Sequence, residues 1–283
     1  WRPGEDISVE HIVELWIPAA RQVHAAGGHP SLPPLAPGGT IDDAKFFEHF
    51  LDAVEIAGEA HLFHGAWIPV HNYFLNHPLD YPEDPVNRFS IPLTDEEIAE
   101  RKLTPEQVEA INEARRIAKL PRSQGGYWVG DTIDEDSNGF RKWEAYANLF
   151  YRYFGYHLPV IGTEGGAVAG AQEDPRYPPV RDQDVVALTL QAYHIVLDEV
   201  PDYFFAQVAW LLANRAGGHD DPRFEHAAWY KDREGTVLPV VQALKRDPRR
   251  YEVREVKAVQ LTQAMRDTDD VLLLTGDQVD AHP

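Results

Sequence analysis

The stretch Leu158-Pro159-Val160-Ile161-Gly162-Thr163-Glu164-Gly165-Gly166 decides how this chain is read. A short apolar run ends in a carboxylate, and two glycines follow at once. A charge at the tip of a buried strand is costly unless it is paired or used. The apolar run is continuous rather than alternating and too short for a helix, so it reads as a strand covered on both faces, as in a parallel sheet. Glu164 then stands at the C-terminal end of that strand. Gly165-Gly166 lets the chain turn away without placing side chains beside the carboxylate.

The same rhythm recurs on either side. Ile12, Leu15, Trp16, Ala19 and Val23 mark a helix over 9–26, with Asp6 or Ser8 to cap it. A proline-heavy extended piece near 30–36 precedes a helix over 42–57, capped by Thr40 or Asp42. Ala66–Val70 is a second short apolar run, followed directly by His71, Asn72 and Tyr73. Thr94-Asp-Glu-Glu and Thr104-Pro-Glu-Gln are capping-box starts, and the second opens a charged helix over 105–119. Phe140, Trp143, Tyr146, Ala147, Phe150, Tyr153 and Phe154 make an aromatic helix that ends at Gly155. A helix over 182–199, a strand over 203–210 and a helix over 236–246 follow.

This alternation predicts an α/β fold, a parallel sheet with crossover helices. In a βα barrel the C-terminal strand ends build the active site. Four such units are visible, where a closed barrel needs eight. The expected division is a barrel portion over 1–246 and an extension over 247–283, with β-like runs at Tyr251–Val259 and Asp270–Gly276.

Composition narrows the function classes. The 283 residues carry a formal net charge of −20, which leaves no basic surplus to replace counterions on a nucleic acid. There are no cysteines, so disulfides, thiolate zinc sites and a cysteine nucleophile are excluded. No apolar run approaches the ~20 residues of a membrane span. Seven Trp, twelve Tyr and twelve Phe suit a carbohydrate-active enzyme as well as a core. The compartment is open, with an extracellular one slightly favoured. The first residue is Trp1 rather than Met, so further sequence is expected upstream.

Three stretches resemble one family in chain order. Glu164 in PVIGTEGG resembles the strand-7 nucleophile of the clan A glycoside hydrolases, the cellulase-like retaining (β/α)8-barrel enzymes. His71, Asn72 and Tyr73 in VHNY resemble the end of strand 6, where a His or Tyr flanks the nucleophile. Trp210 in QVAWLLAN resembles the strand-8 tryptophan that floors the sugar subsite. The resemblance spans roughly Trp1 to Asn214. It implies strands 5–8 of a TIM barrel, hydrolysis of a β-linked oligo- or polysaccharide, no cofactor, and Glu164 as nucleophile. His71 and Tyr73 would orient that carboxylate, Trp210 would stack on the sugar, and Asn72 and Asn214 would meet its hydroxyls. Such chemistry needs a second carboxyl group ~5–5.5 Å away as general acid/base. In the family it is the Glu of an Asn-Glu pair ending strand 4, and no such pair precedes the first helix here. The sole Asn-Glu, Asn112-Glu113, lies within a charged helix. The resemblance therefore implies a complementary N-terminal half as partner.

Two rival readings come from other classes. A decayed barrel could bind carbohydrate without catalysis. His61, His64, His71 and His77 could instead serve a metal-dependent hydrolase, although their spacing lacks the helical HExxH geometry and solvated or hydrogen-bonded histidines fit it better. Asp134, Asp136, Asn138 and Gly139 in DEDSNG match the start of a calcium loop, yet position 12 falls on Ala145. The Tyr- and Pro-rich loop LNHPLDYPEDPVN, 75–87, offers either a sugar platform or a stiff lid.

Overall fold

The computed structural model describes residues 8–35, 42–126, 130–214, 222–231 and 235–254. The apolar run ending at Glu164 forms β2 (Val160–Ala167), the central strand of a three-stranded parallel sheet. It lies between β1 (Ile68–Leu75) and β3 (Phe204–Gln207). The extended piece expected as a strand near 30–36 runs beside β1 but pairs through isolated bridges, Ser31 with Trp67 and Leu35 with Val70. Pro30, Pro33 and Pro34 have no N–H to donate, which keeps this segment out of a continuous ladder.

Among the described residues the chain forms eight α-helices. Helix α1 (Val9–Ala25) starts at Ser8, whose side chain accepts from the His11 N–H, and α2 (Asp43–Ile56) starts at Asp42. The connection after β1 carries α3 (Pro85–Phe89), α4 (Asp95–Arg101) and α5 (Pro105–Ala118). Thr94 with Glu97 and Thr104 with Gln107 close both expected capping boxes. Helix α6 (Lys142–Phe154) leads back to β2, α7 (Asp182–Asp198) leads to β3, and these two pack on the sheet. A short hairpin of β4 (Tyr230–Lys231) and β5 (Thr236–Val237) precedes α8 (Pro239–Arg246), which packs on α7.

Helical spacing explains the core. Trp143, Tyr146, Ala147 and Phe150 recur at i, i+3, i+4 and i+7 on α6 and are buried together. The Trp143 ring lies 5.0 Å from that of Phe204 on β3. Phe150 meets Phe63 edge-on at 5.5 Å, and Trp16 and Phe50 extend the cluster to α1 and α2. Each such buried ring contributes about 1.5–3 kcal/mol. Strand β1 then divides by parity. Asn72 and Phe74 are buried toward α6, with the Phe74 ring edge-on to Phe140 at 5.4 Å, while His71 and Tyr73 are half-buried on the opposite face.

In the tail, Tyr251–Arg254 form no strand, contrary to the β-like expectation for Tyr251–Val259. The tail docks instead through Arg249, which pairs with Asp198 of α7, and Arg254, which donates to the Pro201 and Phe204 carbonyls. Residues 255–259, the run Asp270–Gly276, Asp6 and Thr40 lie outside the described residues.

Candidate active site

The site begins with a register shift. Val70 pairs with Gly162 and His71 pairs with Glu164, so Thr163 is one residue too many on β2. Such a bulge re-aims the side chain that follows it. Here it brings Glu164 onto the face that carries His71 and Tyr73.

The Tyr73 hydroxyl donates to Glu164 Oε2 at 2.8 Å. His71 Nδ1 lies 3.4 Å from the same oxygen. Burial, then the hydrogen bond to Glu164, push the Tyr73 phenol far above its ordinary value, so it stays a donor to the carboxylate. Burial lowers His71 below the usual imidazole value; the Glu164 charge opposes that shift and Lys142 adds to it. The Glu164 side chain retains 28% of its exposure against 14% for His71, so its carboxylate meets solvent. Lys142 itself is buried and ion-paired with Asp43 at the start of α2.

Gly166 takes φ +126°, a backbone conformation that side chains rarely adopt, yet it stays in the ladder opposite Tyr73, so β2 continues to Ala167 instead of turning away at the glycine pair as the sequence suggested. The segment after β3 continues alongside β2: the Trp210 N–H donates to the Gly165 carbonyl at 2.8 Å, and the Trp210–Leu211 peptide is cis. Trp210 is thereby anchored through its backbone one residue from Glu164. Asn214 lies further along, its amide donating to Glu225 at 3.2 Å.

Asn72 is placed differently from the sequence reading, which put it among the sugar contacts. Strand parity turns it to the helix side, where it is wholly buried and donates to the Phe140 carbonyl at 3.0 Å and to Gln207 Oε1 at 2.7 Å. Its role lies in the sheet rather than at the mouth.

The histidines of the rival metal reading have separate neighbours. His61 is exposed near Glu59, His64 stands edge-on to Tyr156, and His77 is inserted between the Asn138 carbonyl and Asp174. Among the described residues no three His, Asp or Glu side chains converge as metal ligands. The calcium-like turn is internally engaged: Asp134 pairs with Arg152, and Asp136 accepts from Tyr81 and from the Asn138 N–H. Glu113 of the Asn-Glu pair is paired with Arg116 on α5.

A polar lock beside the site escaped the sequence reading. His77 stacks on Tyr81 at 3.7 Å and contacts Asp174 Oδ2 at 3.0 Å. Asp174 in turn binds Arg176, whose guanidinium also reaches Asn87 and Tyr81. Tyr177 donates to Asp84, the N-cap of α3. These residues join the connection after β1 to the connection after β2, so the 75–87 loop is a packed wall. Its His77–Asp174 contact spans 97 positions of the chain, and no local spacing announces it.

Compared with models of known protein families, with curated proteins and with solved structures, the chain matches none.

Proposed function

We propose that this chain carries the nucleophile half of a retaining glycoside hydrolase acting on a β-linked oligo- or polysaccharide. The observation that carries the reading is the half-exposed Glu164 carboxylate at the C-terminal end of a parallel strand, accepting from the Tyr73 hydroxyl at 2.8 Å with His71 beside it. A carboxylate held this way is oriented and reachable, as a covalent nucleophile must be. The backbone-anchored Trp210 supplies an aromatic ring near the sugar, with Asn214 further out. The acid/base carboxyl group and the remaining strands belong, in this reading, to a complementary N-terminal half that closes the barrel. No cofactor enters the reaction.

A panel of 2-deoxy-2-fluoroglycosyl fluorides tests the assignment on the full chain. The C1–F bond breaks, fluoride leaves with the electron pair, and a C1–O bond forms to the Glu164 carboxylate, so no general acid is needed. We expect a mass gain of one fluoroglycosyl unit on the peptide that contains Glu164. Glu164→Gln is expected to abolish that gain while leaving cooperative unfolding intact, because the amide is isosteric but a far weaker nucleophile. Labelling that persists in E164Q, or no labelling across the panel, overturns the reading.

A further inference from the structure

We propose that Asn72 and Gln207 form a positioning clamp that crosses beneath β2 and holds Glu164 against Tyr73. The proposal rests on the reading of Glu164 as nucleophile for its consequence, but its geometry stands on the sheet alone. Asn72 lies on β1 between His71 and Tyr73. Gln207 lies on β3 and pairs with Gly162, two residues before Glu164. Asn72 Nδ2 donates to Gln207 Oε1 at 2.7 Å, so the two outer strands are joined directly, across the central one. The same Nδ2 donates to the Phe140 carbonyl, which ties the bridge to the approach to α6.

The glycines of GTEGG make this crossing possible. A Cβ at Gly162 would stand 2.2 Å from Gln207 Oε1 and 2.8 Å from Asn72 Oδ1. At Gly165 it would stand 2.6 Å from the Asn72 carbonyl oxygen and 2.8 Å from Gln207 Nε2. Real Cβ atoms do not approach so closely, so side chains at either position would evict the amides. The opening motif therefore has two faces. Glu164 projects toward the mouth, and the bare α-carbons on either side of it admit a clamp from below. Asn72 is wholly buried, and without Gln207 its amide N–H groups keep only the Phe140 carbonyl, which leaves a buried donor unsatisfied at a cost.

The clamp acts through backbone spacing. His71 and Tyr73 flank Asn72 and point the other way, so shifting Asn72 shifts both of the groups that touch Glu164. Rigid support of this kind matters because misplacement by about 1 Å can cost on the order of 100-fold in rate.

The test uses neutral, near-isosteric variants of the full chain, Gln207→Met, Asn72→Leu and the double variant. Two quantities are read: the titration midpoint of the His71 ring by NMR, and the rate and binding constants of fluoroglycoside labelling. His71 feels the Glu164 charge on its own face of the sheet, which raises its midpoint, and the Lys142 charge at the start of α6, which lowers it, so the midpoint reports the spacing to Glu164. In folded Q207M we expect the midpoint to fall further, because a Glu164 carboxylate that drifts from His71 no longer opposes the lowering by burial. The labelling rate should fall on the order of 10–100-fold with the binding constant unchanged. The double variant should shift His71 no further than N72L alone, since one bridge can be lost only once. If N72L or Q207M fails to fold, Gly162→Ala, which keeps both amides and wedges them apart, must move the midpoint in the same direction. An unmoved His71 in a folded Q207M or G162A variant, or additive shifts in the double variant, overturns the clamp. A wild-type chain that never labels, yet whose His71 responds as described, retains the clamp and loses the nucleophile assignment instead.

Discussion

A hydroxyl and an imidazole converge on one carboxylate oxygen, and they are not equivalent. Tyr73 donates at 2.8 Å and is held protonated, first by burial and then by its bond to Glu164. His71 stands further away at 3.4 Å and is pushed toward its neutral form by burial. Tyr73 is therefore the principal orienting group. Tyr73→Phe removes the donor and leaves the ring, so the fold should persist while fluoroglycoside labelling of Glu164 slows about 100-fold, the usual cost of losing one preorganised donor. The labelling rate constant measured beside the melting temperature checks this. An unchanged rate would mean that Tyr73 only packs against the carboxylate.

At the scale of elements, the connections after β1 and β2 are held to each other by the lock around Asp174. Burial alone would raise the Asp174 carboxyl, but hydrogen bonds from His77 and Arg176 hold it well below the usual carboxylate value. A depressed folded-state value stabilises the protein above the unfolded Asp value of about 3.9 and loses that contribution as pH falls toward the folded one. Asp174→Asn leaves the almost wholly buried Arg176 without its counter-charge, which at neutral pH should cost about 3–5 kcal/mol. The difference in melting temperature between wild type and D174N should shrink as pH is lowered below about 4. Thermal unfolding followed by circular dichroism from pH 7 to 3 measures it. A constant gap across that range would show that Asp174 does not carry the lock.

At the scale of the molecule, a parallel sheet of three strands leaves edges to be filled. Beside β3, Phe205 is 42% exposed and Val208 50%, with Leu212 at 61% further on. A cleft of about 480 Å³ runs between this edge and α7, with Leu190, Tyr193 and Leu197 on one wall. Open edges with apolar flanks recruit other strands. The full chain made alone should therefore self-associate, and co-expression of a complementary N-terminal half should suppress this. Val208→Lys should also reduce it by placing a charge on the edge. Sedimentation velocity distinguishes the outcomes. A monomer with one sharp unfolding transition and full glycosidase activity would show that no second half is required.

The sequence by itself determined several of the elements. Continuous apolar runs at 66–70 and 158–163, the threonine capping boxes and the 3.6-residue aromatic period of α6 are local signals, and each became the element it announced. It also singled out Glu164, because a carboxylate after an apolar run contradicts its surroundings. What it did not reveal depends on parity and on distance along the chain. The extra residue Thr163 sets which face Glu164 shares with His71, and no propensity encodes a bulge. Asn72 looked like its neighbours in VHNY until strand alternation turned it to the helix side. The Asn72–Gln207 bridge spans 135 residues and the His77–Asp174 contact spans 97, so both arise only when the folded sheet brings its strands and loops together. Local spacing decides what a segment becomes, whereas only packing decides which distant polar groups must satisfy each other.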